Sequence, residues 1–126
     1  MSKALLEKIP LLISFNDQLK AKGELVRIHG PRTVEALVGC MPFISHTFIW
    51  KEEIYFDAPC TVGPEKSKAI VQPGDIAYWP PGKAFCIFYG NSQPYSAVNV
   101  VGKITSDLEP LRKIKQGEWV TVKLNQ

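Results

Sequence analysis

The chain carries little net charge. Across its 126 residues, 15 lysines and arginines stand against 12 aspartates and glutamates, a formal excess of +3. So small and dispersed an excess excludes a nucleic-acid surface, which needs a basic patch or stripe. The densest basic run, Arg112, Lys113 and Lys115, has the pattern of a solvated face. Long apolar runs are also missing. Stretches such as Ile9–Phe15 fall far short of the roughly 20 residues that cross a bilayer, so no membrane partner is expected. The opening MSKALLEKIPLLISF has Glu7 where a leader would need apolar residues, and no small-residue cleavage site follows, so no signal peptide is read.

Cysteine and histidine are scarce. Cys40, Cys60 and Cys86 make an odd number, with no CxxC or Cys/His spacing of the kind that binds zinc. They read as free thiols of a reducing compartment, and a cytoplasmic location is the expectation. Cys40 and Cys86 fit apolar patterns as small core residues; Cys60, beside Pro59, reads as a loop thiol. His29 and His46 have no ligand partner at a fixed spacing, so neither a metal site nor a cofactor is expected. No repeat, low-complexity tract or linker divides the chain, and residues 1–126 are expected to form one domain.

What is present is an apolar fraction of 45%, enough for a real core. Most segments alternate as strands do: Pro10–Phe15, then Glu24–His29 after the polar turn NDQLKAKG, then Phe43–Trp50, Glu53–Pro59, Ala69–Gln72, Asp75–Trp79, AFCIFYG, AVNVVGKIT and the closing EWVTVKLN. One helix interrupts them. In GPRTVEALVGCMP, Pro31 suits a first helical turn. Val34, Leu37, Val38 and Met41 make one apolar face, and Pro42 ends it. DLEPLRKI offers a second short helical turn behind Ser106 or Asp107. About eight strands with one clear short helix give a mostly β chain of the size of a small closed barrel.

The stretch GDIAYWPPGKAFCIFYG, Gly74–Gly90, is dense in aromatics and nearly uncharged. Alternation puts Ile76 with Tyr78 on one face and Ala77 with Trp79 on the other; Phe85, Ile87 and Tyr89 likewise oppose Ala84, Cys86 and Phe88. One set fills a barrel, and the other packs under a helix, lines a cleft or meets a partner. Tyr78, Trp79, Phe85 and Phe88 are therefore candidates for a binding cleft, with core packing around a rigid Pro-Pro corner as the alternative. Glu53 and Tyr55 can share a face and supply its polar groups, whereas Glu52 and Glu53 point apart. Asp75 reads as a turn residue and Asn99 as a buried structural amide.

The order of these signatures resembles the cyclophilins. GELVRIHGPRTVEALVGCMPF is similar to their strand–turn–Pro–Thr–helix segment, and VNVVGKITSDLEPLRKI to their Val-Phe-Gly-Lys-Val strand and following helix. More closely, EEIYF, GDIAYWPPG and VNVVGKI resemble a small prokaryotic cyclophilin-like family, over Ile9 to Lys123. That family often has Trp-Gly before its acidic pair, where this chain has Trp50-Lys51. The resemblance implies a closed cyclophilin-like β-barrel.

It does not carry the isomerase chemistry with it. Twisting an amide against a barrier of about 18–20 kcal/mol is helped by a cation on the prolyl nitrogen. In cyclophilins that cation is an arginine directly after a histidine; here Thr47 follows His46. The Phe-Met-x-Gln segment is replaced by KEEIYF, and the pocket loop has shrunk to NSQPYS. Arg27 and Arg32 lie off that strand. The expectation is a binding module for a peptide or small molecule that lacks the catalytic arginine. The alternatives are a divergent peptidyl-prolyl isomerase with Phe85 or Phe88 in its proline pocket, or an interaction subunit of a metabolic enzyme with a protein partner.

Overall fold

The structure is a computed structural model that describes residues 7–125. Most of the segment on which the signal-peptide reading rests, residues 1–6, lies outside the described residues. Strand β1, Lys8–Phe15, turns Ile9, Leu11, Ile13 and Phe15 inward. It pairs with β2, Leu19–Val26, through a loop in which Asn16 and Asp17 take φ of 51° and 56°. Both residue types tolerate that left-handed backbone. The predicted turn NDQLKAKG is thus mostly strand: Lys20 and Lys22 are the solvent side of an alternating pair of faces, and Ala21 and Leu25 the buried side. Beyond Val26 the chain leaves the ladder in a 3-10 turn, Arg27–His29, instead of continuing as strand.

Helix α1, Pro31–Gly39, follows with Pro31 in its first turn and Thr33, Val34 and Leu37 buried. The Glu65 carboxylate accepts from Arg32 N (3.0 Å), Thr33 N (2.8 Å) and Thr33 Oγ1 (2.7 Å). It satisfies amides that a helix start leaves without partners. The remaining strands are β3, Phe43–His46; β4, Phe48–Trp50; β5, Glu53–Asp57; β6, Asp75–Trp79; β7, Ala84–Phe88; β8, Asn99–Ile104; and β9, Trp119–Leu124. All neighbours pair antiparallel in the order β3-β9-β1-β2-β8-β6-β7-β5-β4. The two end strands are consecutive in the chain, so the sheet curls into a nearly closed barrel of nine strands.

Two local differences from the predicted segments offset each other in the count of nine. The predicted strand Phe43–Trp50 is broken at Thr47, which is buried. Its hydroxyl donates to Lys115 O (2.7 Å) and accepts from Glu118 N (2.9 Å), pinning a corner between β3 and β4. Ala69–Gln72, predicted as a strand, is irregular, because Val71 N donates to the Gln93 side chain (2.8 Å) instead of to a ladder. The second helical turn is a 3-10 turn, Glu109–Lys113. At the crossing of β2 and β8 an added Cβ on Gly102 would lie 2.0 Å from Glu24 O, so the barrel closes there only around a glycine.

Candidate functional site

Strand parity divides β4, β5, β6 and β7 into an inner and an outer face. The inner face carries Ile54, Phe56, Ile76, Tyr78, Phe85 and Ile87, all in the main core. Phe56 stacks on Phe85 with centroids 5.1 Å apart. The Tyr78 hydroxyl donates to Cys60 O (2.8 Å) and accepts from Val62 N (3.3 Å). Tyr78 and Phe85, both candidates for the cleft, are therefore barrel core. The outer face has a second, smaller cluster built on Ala77, Ala84, Cys86 and Phe88, with Val71 and Val98 from the covering segments. Phe88 belongs to this layer and is fully buried in it.

Above that layer is a cavity of about 250 Å³. Three sequence candidates line it: Glu53, Tyr55 and Trp79. Trp50, Pro94, Tyr95 and Val98 complete it, none of them singled out from the sequence. Trp50 pairs directly with Glu53 across the β4–β5 hairpin, so the two share the outer face. Tyr95 arrives on the loop between β7 and β8. That loop is tied down by Gln93, whose amide donates to Val71 O (3.2 Å), and by Ser92, which accepts from Glu52 N (2.9 Å). Trp79 Nε1 donates to Ser96 Oγ (2.7 Å), fixing the indole under the loop. Its ring lies against Gly82, where a Cβ would fall 2.6 Å from the six-membered ring. The Trp-Pro-Pro-Gly corner thus aims Trp79: the two prolines and Gly82 form a 3-10 turn, and the missing side chain leaves room for the indole. Among the described residues the cis peptide is Met41–Pro42, not Trp79–Pro80.

The rings meet at steep angles. Tyr95 stands at 78° to Trp50 (6.4 Å) and at 83° to Trp79 (6.1 Å). Three walls of a box result, with Tyr55 and Glu53 between them. Tyr55 is itself stacked on Phe48 at 5.4 Å. Glu53 is buried and forms no ion pair among the described residues. Burial pushes its carboxyl up to about 7, with the neighbouring Cys86 thiol acting in the opposite direction. Cys86 is fully buried, and its thiol is pushed well up by burial first and by Glu53 second. Glu52 faces the other way. It accepts from Arg112 Nη1 (2.6 Å) and Asn91 N (2.9 Å), and the Arg112 hydrogen bond above all holds its carboxyl low.

The other candidates have structural work. Asn99 is fully buried. Its Oδ1 accepts from Glu65 N (2.9 Å) and Ser67 Oγ (3.1 Å), and its Nδ2 donates to Gly63 O (3.0 Å) and Thr33 Oγ1 (3.1 Å). Asp75 accepts from Gln72 N (2.8 Å) as a turn residue. None of the three arginines lines the cavity: Arg27 pairs with Glu35 and Glu7, Arg32 with Glu65, and Arg112 with Glu52. Among the described residues no three His, Cys, Asp or Glu side chains converge as metal ligands, and no helix is long and apolar enough to cross a membrane. A groove of about 550 Å³ along β2 and β8 is walled by exposed lysines, Glu24 and Asp75. An exposed apolar patch, Ile44 and Trp119, lies on β3 and β9.

Comparison with known proteins agrees with this architecture. A family model described as Cyclophilin-like matches residues 9–123. The solution structure of the hypothetical protein AF2241 from Archaeoglobus fulgidus superposes with a TM-score of 0.83 at 36% identity, covering 99% of this chain and 100% of that one. McbB, solved in complex with tryptophan, superposes with a TM-score of 0.74 at 17% identity, over 90% of this chain and 44% of McbB, and so shares the fold. A search of the curated proteins returned no match. With its sequence matched from the first barrel strand to the last, the chain belongs to the cyclophilin-like family.

Proposed function

We propose that this protein is a binding module that takes a small aromatic molecule, or the aromatic side chain of a peptide, into the cavity on the outer face of β4, β5 and β6. One observation carries the reading: Trp50, Trp79 and Tyr95 line a mostly apolar pocket whose one carboxyl, that of Glu53, is buried. Concave apolar sites with a few placed polar groups are the usual form of small-molecule sites. The Trp79 indole is held before any ligand arrives, by the Ser96 hydrogen bond and the Gly82 contact, so that ring adds little ordering entropy to oppose binding. That the similarly folded McbB was solved with tryptophan supports an aromatic ligand. Prolyl isomerisation is disfavoured on the same geometry. The cavity has a carboxyl and no guanidinium, and Phe85 and Phe88, the aromatics proposed for a proline pocket, are both fully buried.

The test follows amide and indole N–H shifts on addition of indole, beside cis–trans exchange of an Ala-Pro peptide. Shifts centred on Trp50, Trp79, Tyr95 and Val98 without accelerated exchange are expected. Accelerated exchange would replace this reading with an isomerase that works without the arginine.

A further inference from the structure

The cavity combines a tyrosine set steeply against two indoles with a carboxyl that has no cationic partner among the described residues. We propose that the cleft selects organic cations, an ammonium group attached to an apolar or aromatic body, with the ammonium against Glu53 and the body between Trp50, Trp79 and Tyr95. This deepens the binding-module reading and rests on it.

Three observations carry the inference. First, the box itself suits a cation. Tyr95 is nearly perpendicular to both indoles, and all three rings line the cavity. The ring quadrupole attracts a cation lying over an aromatic face, most strongly for Trp. Lys51 already places its ammonium 4.6 Å from the Trp50 centroid. Second, Glu53 is under-used. Its neighbour is the Cys86 thiol, a weak donor that points to Ala84 O (3.7 Å), whereas a carboxylate accepts several strong hydrogen bonds. A buried charge is tolerable when paired, and a bound ammonium supplies that pair. A neutral ligand would leave the carboxylate stranded or force it to bind a proton. Third, the size fits. At roughly 30 Å³ per water, a cavity of about 250 Å³ has the volume of about eight waters, room for a small amine with an apolar body.

Charge linkage makes the inference testable without relying on a variant. The titratable groups around Glu53 are Tyr55 on its own strand, Cys86 on β7 and Tyr95 on the covering loop, while Lys51 in the β4–β5 turn lies over the Trp50 ring. Glu53 is the carboxyl among them, and its ionisation lies near neutrality. A cation binds to the ionised carboxyl and must displace the proton at low pH; a neutral molecule does the reverse. The two pH slopes therefore have opposite signs.

The experiment titrates the full chain with benzyltrimethylammonium, whose charge does not depend on pH, and with benzyl alcohol, by tryptophan fluorescence and calorimetry between pH 5.5 and 8.5. At pH 8.5 the cation is expected to bind at least about tenfold more tightly than the alcohol. Its affinity should rise by up to about tenfold per pH unit below 7 and level off above. Glu53→Gln should abolish that slope and the preference. Equal or tighter binding of the alcohol at pH 8.5, or a flat profile for the cation, overturns the cation proposal while leaving the aromatic cleft standing. Failure of both probes to bind overturns the cleft reading as well.

Discussion

Tyr78 and Trp79 are adjacent in one strand and have opposite fates. Tyr78 is fully buried in the barrel, with its hydroxyl committed to Cys60 and Val62. Trp79 points out of the barrel, is half-buried, and leaves its ring open to a cavity. The same holds across the sheet: Phe85 and Ile87 seal the inside, while Glu53, Tyr55 and Trp50 look outward beneath a loop. Aromatic content does not separate the two faces. The inner face is closed by the surrounding strands and by helix α1, whereas the outer face is covered by the segments around Val71 and Tyr95, which leave a gap. Stability should reside in one face and ligand recognition in the other.

Substitutions can break that division, beginning with the largest effect. Phe85→Ala removes a ring stacked on Phe56 and is expected to cost about 3–5 kcal/mol in urea unfolding. A loss under 1 kcal/mol would mean that the inner face is not the stabilising one. Glu53→Gln sharpens the contrast through pH. A carboxyl whose folded value lies near 7, above its unfolded value, contributes its full stability below about 4.5 and loses it as pH rises through 7. The wild type should lose roughly 2 kcal/mol between pH 5 and 9 from this group, less than the full shift implies because solvent reaches it through the cavity mouth. Glu53→Gln should flatten that part of the profile, as thermal melts across the range would show. Trp79→Ala is expected to abolish indole-shift changes on ligand addition. Its stability cost should be about 1–2 kcal/mol, below the core value because the ring is only half-buried. Trp119→Ser, on the exposed β3–β9 patch, should change stability by less than about 0.5 kcal/mol and leave binding at the cavity intact.

Much of this was legible in the residues. Alternation sorted Ile76 with Tyr78 and Ala77 with Trp79, because side chains in a strand repeat every two residues. What alternation cannot state is which set faces inward. That is decided by pairings far apart in sequence, such as β5 with β7 and β6 with β8. Phe88, a cleft candidate as one of the aromatics of Gly74–Gly90, lies on the outer face, yet the covering segments bury it in the layer beneath the cavity. Trp50 was hidden by the break at Thr47. Once the β4–β5 hairpin is recognised, its partnership with Glu53 follows from a two-residue turn. Tyr95 gave no periodic signal at all; it belongs to a loop whose path is set by side-chain hydrogen bonds from Gln93 and Ser92. The glycine of Trp-Pro-Pro-Gly was the clearest clue missed, since a glycine three residues after a tryptophan leaves space for the ring to fold back.

The most direct measurement of the central claim is a set of intermolecular nuclear Overhauser effects between added indole and the protein's aromatic protons. The account predicts contacts to the rings of Trp50, Trp79 and Tyr95, and none to Ile44 or Trp119. Contacts confined to Ile44 and Trp119 would contradict it and move the ligand site to the other side of the barrel.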